Sequence, residues 1–516
     1  MRRLKRISDS STQQGNVLVF STLFMAAVCL AFLQIYDTGK ISLEKTRLQN
    51  IADSAAYSAA VLQARELNFH SYMNRAMVVN QAAIGQMVAI SSYMQVAQQS
   101  QRNANLVLDK LPVIGPFFKA AEIGLGTINM GTQIAASSTT FLLDTLIGLF
   151  SKASLAWHAS TTVQLAESIP ALVKDNDPAA EINVASAFYM AKDLVAFNNF
   201  TRRWDVEDTE IGSASPKDRA EAKKQFDSFR NLVLASRDEF VKKRSNTFFN
   251  APLIEMVQRG GTEFGKVPGK TNPYYSWSAV DTLSVHTRDL DDIFDDDWSE
   301  ALPVAWGRQA THHETAFKWS SVSSNGWNKA ARTNAYAWEA NRVRDAAGEN
   351  FLEGKRNTPE HIAHYKVGEG RNNGFGMPAP GVTNGANVEG LRNFYQLRKP
   401  TEEESQTGIS GSPVFRVLIQ KPLIAISDSS RNDTLVRQDG KLALRTADAR
   451  TAALGNMHAT AAARAVYERS GDLWRRADNR YELANLYNPF WYPRLAEFDG
   501  KTALAAGIMA LDSVEE

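Results

Sequence analysis

Residues 16–35 read NVLVFSTLFMAAVCLAFLQI, an apolar run that contains no charged side chain. In an α-helix a run of this length extends about 30 Å, which matches the hydrocarbon thickness of a bilayer. The run therefore predicts a transmembrane helix over residues 16–36. Since residues 1–15 form only a short basic leader, the bulk of the chain must lie on the other side of the membrane.

The cationic side chains around this run predict its orientation. Lys and Arg close to the first span are usually retained in the cytoplasm. Four of them lie in the first six residues, and three more follow the run; they are Arg2, Arg3, Lys5 and Arg6 before it, and Lys40, Lys45 and Arg47 after it. We therefore expect a cytoplasmic N-terminus and an extracytoplasmic body.

Two other interpretations of the run are a cleavable secretory signal and a lipoprotein signal. The best small-x-small site, Cys29-Leu30-Ala31, lies inside the run rather than after it, which disfavours cleavage. Lipidation would use Cys29, but Val28 precedes it where a small residue is expected. Because Cys29 is the sole cysteine, an internal disulfide is excluded.

Composition bounds the remaining possibilities. The 516 residues are 44% hydrophobic, enough material for two or more compact units. The formal net charge is +1, which gives no electrostatic reason to expect a nucleic-acid partner. We also predict no cofactor and no small-molecule substrate.

The segment after the span predicts a long helix, or two helices in line, over residues 37–110. Apolar and small residues recur there at spacings of three and four, which is typical of one buried helical face. A face made of alanines allows another helix to approach closely. We take this face as the candidate interaction surface, and its residues are Leu48, Ile51, Ala52, Ala55 and Ala59.

The rest of the chain divides by texture into three regions. Residues 111–250 predict helices, and polar residues such as Lys119 and Asp144 make residues 111–150 a packed or interfacial helix pair rather than a second span. Residues 251–403 are rich in Gly, Pro, Asn and Trp and predict a loop-rich region. Residues 404–516 predict a β-hairpin, an alanine-rich helix over 447–469 and an aromatic tail.

The strand signal in the last region is alternation. Phe415, Val417 and Ile419 alternate with other residues, and Asp439-Gly440 has the composition of a two-residue hairpin turn. The predicted fold class is therefore α+β and mainly helical. A single transmembrane helix continues into a long extracytoplasmic helix, followed by a loop-rich region and a small antiparallel β element near the C-terminus.

Motifs that could carry chemistry are weak. Gly265–Thr271 lacks the spacing of a phosphate loop, and the acidic stretch 289–300 lacks the glycine and the oxygen pattern of a calcium loop. The histidine pairs His312/His313 and His361/His364 do not have zinc-protease spacing. We assign no catalytic, metal or cofactor residues.

Two stretches of the N-terminus resemble a known family. Gln13-Gln14-Gly15-Asn16-Val17 leads into the span, and after it Leu48, Gln49, Ala52, Asp53, Ala55 and Ala56 form a Leu-Gln-x-x-Ala-Asp-x-Ala-Ala pattern. These features are similar to the N-terminal domain of TadG/TadE-like proteins of the bacterial Tad (Flp, type IVb) pilus system. The tail Asn488-Pro-Phe-Trp-Tyr492 resembles the aromatic tail of some members.

The resemblance implies a structural or assembly component of a Tad pilus, anchored in the bacterial inner membrane, with a periplasmic body and no catalytic step. Its implied partners are the lipid bilayer and other pilus subunits. Gly15 and Asn16 would flank a possible leader-processing site, although processed pilins usually carry Glu where this chain has Phe20. Some members also hold a metal in an Asp-x-Ser-x-Ser motif, which Asp428-Ser-Ser430-Arg-Asn432 does not complete.

Two alternatives stay open at this point. A membrane-anchored periplasmic enzyme would use His312, His313, His361 and His364, provided that they converge with Glu314 or Glu360. A surface adhesin or glycan-binding protein would use the tryptophans between residues 277 and 338. More often, clustered tryptophans fill a core.

Overall fold

The structure is a computed structural model, and it describes residues 13–108, 115–182, 184–209, 215–266, 275–287, 300–311, 388, 390–422, 455–469 and 482–498. Its first element is a single helix, α1, Gln13–Leu108. Its 96 residues span about 140 Å at the α-helical rise. The apolar run and the following stalk are thus one uninterrupted helix, as the sequence predicted.

The second helix, α2, Gly115–Asn176, runs back along α1. The two helices are antiparallel. Near the end of α1, Asn105 Nδ2 donates to Glu122 Oε2 near the start of α2, and earlier in α1, Arg47 Nη2 donates to the Asn176 carbonyl at the end of α2. The predicted helix pair over residues 111–150 is wrong, because residues 115–150 belong to one continuous helix. No proline lies between residues 117 and 169 to interrupt the backbone hydrogen bonds, and the helix continues past Pro170 to Asn176.

The outer side of α2 is apolar and exposed over its first half. Large hydrophobic side chains there are more than half exposed; they are Phe117, Ile123, Ile128, Met130, Ile134, Phe141, Leu142 and Leu149. The polar side chains of this half point the other way, since Asn129 and Gln133 hydrogen-bond to residues of α1. The helix therefore buries its amides and presents its hydrocarbon side chains outward.

Shorter elements follow the two long helices. The helices are α3, Val184–Asn198, α4, Pro216–Ala235, α5, Glu239–Lys242, and α6, Glu404–Thr407. The strands are β1, Glu181–Ile182, β2, Thr201–Trp204, β3, Lys243–Ala251, β4, Ile254–Lys266, β5, Tyr275–Thr287, β6, Glu300–Ala310, β7, Phe394–Leu397, β8, Phe415–Pro422, β9, Asn456–Tyr467, and β10, Trp491–Ala496.

Within the described residues the strands form three antiparallel sheets. Their orders are β1-β8-β9-β10, β2-β7 and β3-β4-β5-β6. In the first sheet Val417 pairs with Ala461, and Arg494 of β10 pairs with Arg464. The alternating stretch from Phe415 is a strand, as predicted. The proposed turn at Asp439-Gly440 lies outside the described residues.

The alanine-rich segment corrects the sequence analysis, because residues 456–467 form the strand β9 and not a helix. Alanine favours helices only weakly, and tertiary packing overrides so small a preference. The β9 side chains that belong to the first core alternate along the strand in the period of two that strands require, while Ala462 and Val466 are buried on the other face. The β9 residues of the first core are Met457, Ala459, Ala461, Ala463, Ala465 and Tyr467.

The region expected to be loop-rich also differs in part from that expectation. β4, β5 and β6 lie within it, and each is at least 11 residues long. Trp277 of β5 is completely buried, so it fills a core rather than forming a binding surface. Trp298, Trp319, Trp327 and Trp338 and the side chain of Trp306 lie outside the described residues. The division of the chain into domains stays a prediction.

Two hydrophobic clusters lie along α1. The first joins residues 48–67 of α1 to α2 and to the sheet that contains β8 and β9. The second joins residues 77–89 of α1 to α4 and β5, with Phe226, Phe229, Trp277 and Phe394 at its centre. One helix thus contributes residues to both cores, and the rest of the body packs around it.

Gly85 of α1 is required by the second core. A Cβ atom at this position would lie 2.8 Å from the Trp277 ring. We predict that Gly85→Ala lowers the free energy of unfolding by about 1–3 kcal/mol, because the buried ring would have to shift. Thermal or denaturant unfolding of the detergent-solubilised protein measures this.

Gly124 provides the control for that substitution. It also lies within a long helix, but a Cβ atom there would meet nothing within 4 Å. Gly124→Ala should therefore be neutral or stabilising by up to about 1 kcal/mol, from helix propensity. Equal effects of the two substitutions would contradict the close approach of Trp277 to α1.

Candidate functional site: the membrane anchor and the packed face of the long helix

The apolar side chains at the start of α1, from Val17 to Tyr36, are largely exposed. Phe20, Phe24 and Phe32 are 73%, 72% and 68% exposed, and no part of the body covers them. Exposed hydrocarbon on this scale marks a surface meant for lipid or for another protein. Gly15 and Asn16 lie in the first turn of the same helix.

Both long helices are apolar enough over a sufficient length to cross a membrane. By length and composition alone, α1 contains a stretch within Val17–Arg102 that could span a membrane, and α2 contains one within Gly115–Asn176. In α1 the qualifying stretch is entirely unburied, whereas part of the stretch in α2 is packed against the body. The N-terminal stretch is thus the better anchor of the two.

The five candidate interaction residues lie directly beyond the anchor on one face of α1. Ala52, Ala55 and Ala59 are completely buried, and Leu48 and Ile51 are nearly so. The structure brings all five together in the first core, against α2 and β9 of the same chain. Their contact with sister helices is not tested by a single chain, and it stays a prediction.

The interface between α1 and β9 is formed largely by alanine side chains from both elements. The small residues of α1 face Ala459, Ala461 and Ala463 of β9, and these strand residues are at most 4% exposed. With no atoms beyond Cβ on either side, the helix and the strand approach closely. Gln49 Nε2 can then donate to the Thr460 carbonyl of β9 over 2.8 Å.

A cluster of charges lies at the end of the body nearest the apolar start of α1, which would be the membrane-proximal end. Lys421 of β8 donates from Nζ to Glu44 of α1 and to Asp177 just after α2, each over 2.8 Å. Lys421 and Asp177 are almost fully buried. The ammonium group therefore joins α1, the end of α2 and the first sheet at one point.

The charges in this cluster shift each other's ionisation. Burial opposes the charge on Asp177, but the hydrogen bonds from Lys421 and from the Ala179 amide outweigh it and lower the pKa of Asp177. Burial likewise opposes the charge on Lys421, and the two carboxylates outweigh it and raise the pKa of Lys421. Asp177 and Lys421 are therefore both charged around neutral pH.

This cluster lies close to where α1 would leave a membrane. Glu44 follows Ile35, the last residue of the apolar run, by nine positions, about 14 Å along the helix. Lys45 Nζ also donates to the His458 carbonyl at the start of β9. The body is thus fixed to the helix immediately above the anchor.

Farther along α1, side-chain amides hold β7 and loops of the body. Asn74 Nδ2 donates to the carbonyls of Tyr395 and Leu486, each over 2.9 Å. Gln81 donates to the Gly390 carbonyl and accepts from the Trp277 indole. Buried amides that bond to backbone carbonyls fix the register of the body on the helix.

Sequence reasoning found the anchor and the alanine face, but it missed the residues that secure them. Glu44, Asp177 and Lys421 are separated by more than 130 residues at each step, and no local pattern connects them. The four histidines of the enzyme alternative, with Glu314 and Glu360, lie outside the described residues. So do the acidic stretch 289–299 and Asp428–Asn432.

A scan against protein-family models gives one match to the N-terminus. Residues 15–63 match the family described as putative Flp pilus-assembly TadE/G-like. The match covers the apolar start of α1 and the alanine face. The fold therefore defines a class of protein whose body packs around an N-terminal apolar helix. The chain carries a TadE/G-like segment at its N-terminus, which supports a role related to Flp pilus assembly. No curated protein and no solved structure matches the chain.

Lys421→Met should loosen the membrane-proximal end of the body. Removing the cation leaves Glu44 and Asp177 facing each other with only the more exposed Arg47 to offset their charge, which we expect to cost about 3 kcal/mol of unfolding free energy. Lys399→Met is the matched control, because Lys399 pairs with Glu221 while 67% exposed. Its loss should cost less than about 1 kcal/mol.

The same substitution should change the response to acid. Because the pKa of Asp177 is lower in the folded chain than its ordinary 3.8, its ionised form adds stability above that value. This contribution is lost as the pH falls below 3.8 and through the folded pKa. Unfolding curves of the wild type should steepen in their acid dependence there, and those of Lys421→Met should not; identical profiles would contradict the cluster.

Proposed function

We propose that this protein is a structural or assembly component of a Tad/Flp-type pilus, held in the bacterial inner membrane by the first part of α1. The observation that carries the proposal is the match of residues 15–63, which coincides with the exposed anchor and the start of the packed stalk. The proposed role is mechanical and includes no catalytic step.

The body supports such a role by the way it is attached. The alanine interface, the Lys421 cluster and the amide contacts of Asn74 all join α1 to the rest of the chain. A force applied to the body would thus pass directly into the anchored helix. A subunit or an assembly platform at the base of a filament needs this kind of coupling.

The orientation is part of the proposal. The four cations in residues 1–6 favour a cytoplasmic leader, and a body fixed from Glu44 onward would then stand in the periplasm close to the bilayer. The partners are the lipid bilayer and other pilus subunits. Sister helices would meet the apolar part of α1 that the body leaves exposed, since the alanine face is occupied within the chain.

Cysteine labelling tests this orientation. In a Cys29→Ala background, Ser54→Cys lies on the exposed side of α1 beyond the anchor, and Ser8→Cys lies in the leader. A membrane-impermeant maleimide should label position 54 in intact spheroplasts and position 8 only after permeabilisation. The reverse pattern would exclude a periplasmic body.

Filament fractionation tests the role. Deleting the gene should abolish or alter surface pili, and the wild-type copy should restore them. Mass spectrometry of the N-terminus would distinguish a subunit from an assembly factor: a start at Asn16 in sheared filaments indicates a processed subunit, and an intact leader confined to the membrane indicates an assembly factor. Normal pili and adhesion in the deletion strain would count against both.

A further inference from the structure

Three titratable side chains from the two long helices meet inside the body, away from the membrane-proximal cluster. Glu66 and His70 are one turn apart on α1, and His158 faces them from α2. His158 Nδ1 lies 2.6 Å and His70 Nε2 lies 3.4 Å from the same oxygen, Glu66 Oε1. The three donor atoms all lie within 4.8 Å of one another.

Two of these side chains are sealed from solvent and incompletely paired. Glu66 and His70 are 0% exposed. Within the described part of the chain, neither ring nitrogen of His70 and not the second oxygen of Glu66 makes a hydrogen bond. Buried polar atoms normally have partners, because leaving them without one costs free energy. The three unsatisfied atoms therefore give this cluster the capacity to bind a further group.

The surroundings hold the rings in place. The Tyr395 ring stacks on His70 with centroids 4.2 Å apart, and Phe69 stacks on Trp157 beside it. Stacked rings of this kind restrict the rotation of the imidazole. The histidine nitrogen that faces Glu66 is thus oriented in advance, as ligands in a built site are.

We propose that Glu66, His70 and His158 bind a divalent transition-metal ion, with Zn²⁺ as the best fit. Two imidazole nitrogens and one carboxylate oxygen are a donor set that zinc prefers, and three protein ligands leave a fourth position open. The proposal goes beyond the pilus role and does not rest on it.

The distances from Glu66 Oε1 to the two histidines are close to those around such an ion. Ligands about 2.0–2.1 Å from a tetrahedral centre are about 3.3–3.5 Å apart. His70 Nε2 and Glu66 Oε1 already have this separation, at 3.4 Å. His158 would have to withdraw by less than about 1 Å from its present hydrogen bond. Its side chain is 20% exposed, so it has room to move and offers the ion a way in.

The ion would join α1 to α2 at a point where the alanine face has ended. Glu66 lies 31 residues beyond Ile35, about 46 Å from the end of the apolar run. Because the site is formed by two helices that meet only in the folded chain, metal binding would stabilise the fold. The bound ion would cross-link α1 and α2, with its fourth position left to a water molecule.

Metal analysis of the full-length protein in detergent tests the proposal. After chelation and dialysis against Zn²⁺, the wild type should retain one ion per chain and show a higher melting temperature than the metal-free protein. With Co²⁺ instead, it should show the visible absorption of tetrahedral cobalt. His158→Gln should weaken Zn²⁺ affinity by at least about 100-fold, the upper range for loss of a supporting group in a metal site.

The chain has eight histidines, and controls separate this site from five of the six others. His458→Gln, and a variant with His312, His313, His361 and His364 all replaced by Gln, should keep the ion. Loss of the ion in either control, or retention of it in both His158→Gln and Glu66→Gln, would overturn the proposal. So would a wild type that binds no stoichiometric metal, in which case the cluster is a hydrogen-bonded network.

A second measurement covers the case in which His158→Gln fails to fold, as judged by circular dichroism. X-ray absorption at the zinc edge of the wild type should show two imidazole ligands and oxygen, without sulfur. Three or more imidazoles, or none, would overturn the proposed ligand set.

Discussion

The whole arrangement depends on the close contact between the alanine face of α1 and the alanine strand β9. Ala52, Ala55 and Ala59 on the helix and Ala461 and Ala463 on the strand leave no side-chain layer to hold the two backbones apart. Polar contacts from the helix to strand carbonyls become possible at that distance, such as that of Gln49 to Thr460. Each larger side chain at this interface would force the sheet away from α1.

This contact explains why one helix can serve both as anchor and as scaffold. The apolar start of α1 is left bare, and the body begins to pack at Leu48, within a few turns of the run's end. Glu44, Asp177 and Lys421 secure that boundary with charges that hydrogen-bond in a nearly buried setting. A buried group of this kind fixes which residues meet, because any other register would leave charges unpaired.

The first half of α2 differs from a typical surface helix, because its large apolar side chains are exposed. Phe117, Ile134 and Phe141 face outward, while Asn129 hydrogen-bonds to Gln98 of α1. A surface helix of a soluble protein normally turns its large apolar side chains toward the core and its polar side chains toward water. The second half of α2 behaves conventionally, with Leu165, Ile169 and Val173 in the first core.

Local patterns in the sequence were sufficient for the elements whose signal is periodic and short in range. The apolar run, the three-and-four spacing from Leu48 to Ala59 and the alternation from Phe415 each predicted an element that the structure contains. The family resemblance of the N-terminus rested on the same residues, and the match of residues 15–63 agrees with it.

Local patterns gave the wrong prediction where helix and strand differ little in intrinsic free energy. Residues 456–467 are alanine-rich, and the small helix preference of alanine is outweighed by pairing with β8 and β10 and by packing on α1. A period of two in the buried positions was present in the sequence, but composition masked it.

The sequence by itself determined that the chain has an N-terminal apolar helix, a long helical stalk and a TadE/G-like start. Only the tertiary structure decided that the alanine face is covered by the chain's own strand, and that Glu44 meets Lys421 and Glu66 meets His158. The physical reason is range: periodicity is a property of neighbouring residues, whereas these contacts join residues about 90 to 400 positions apart and exist only once the cores have formed.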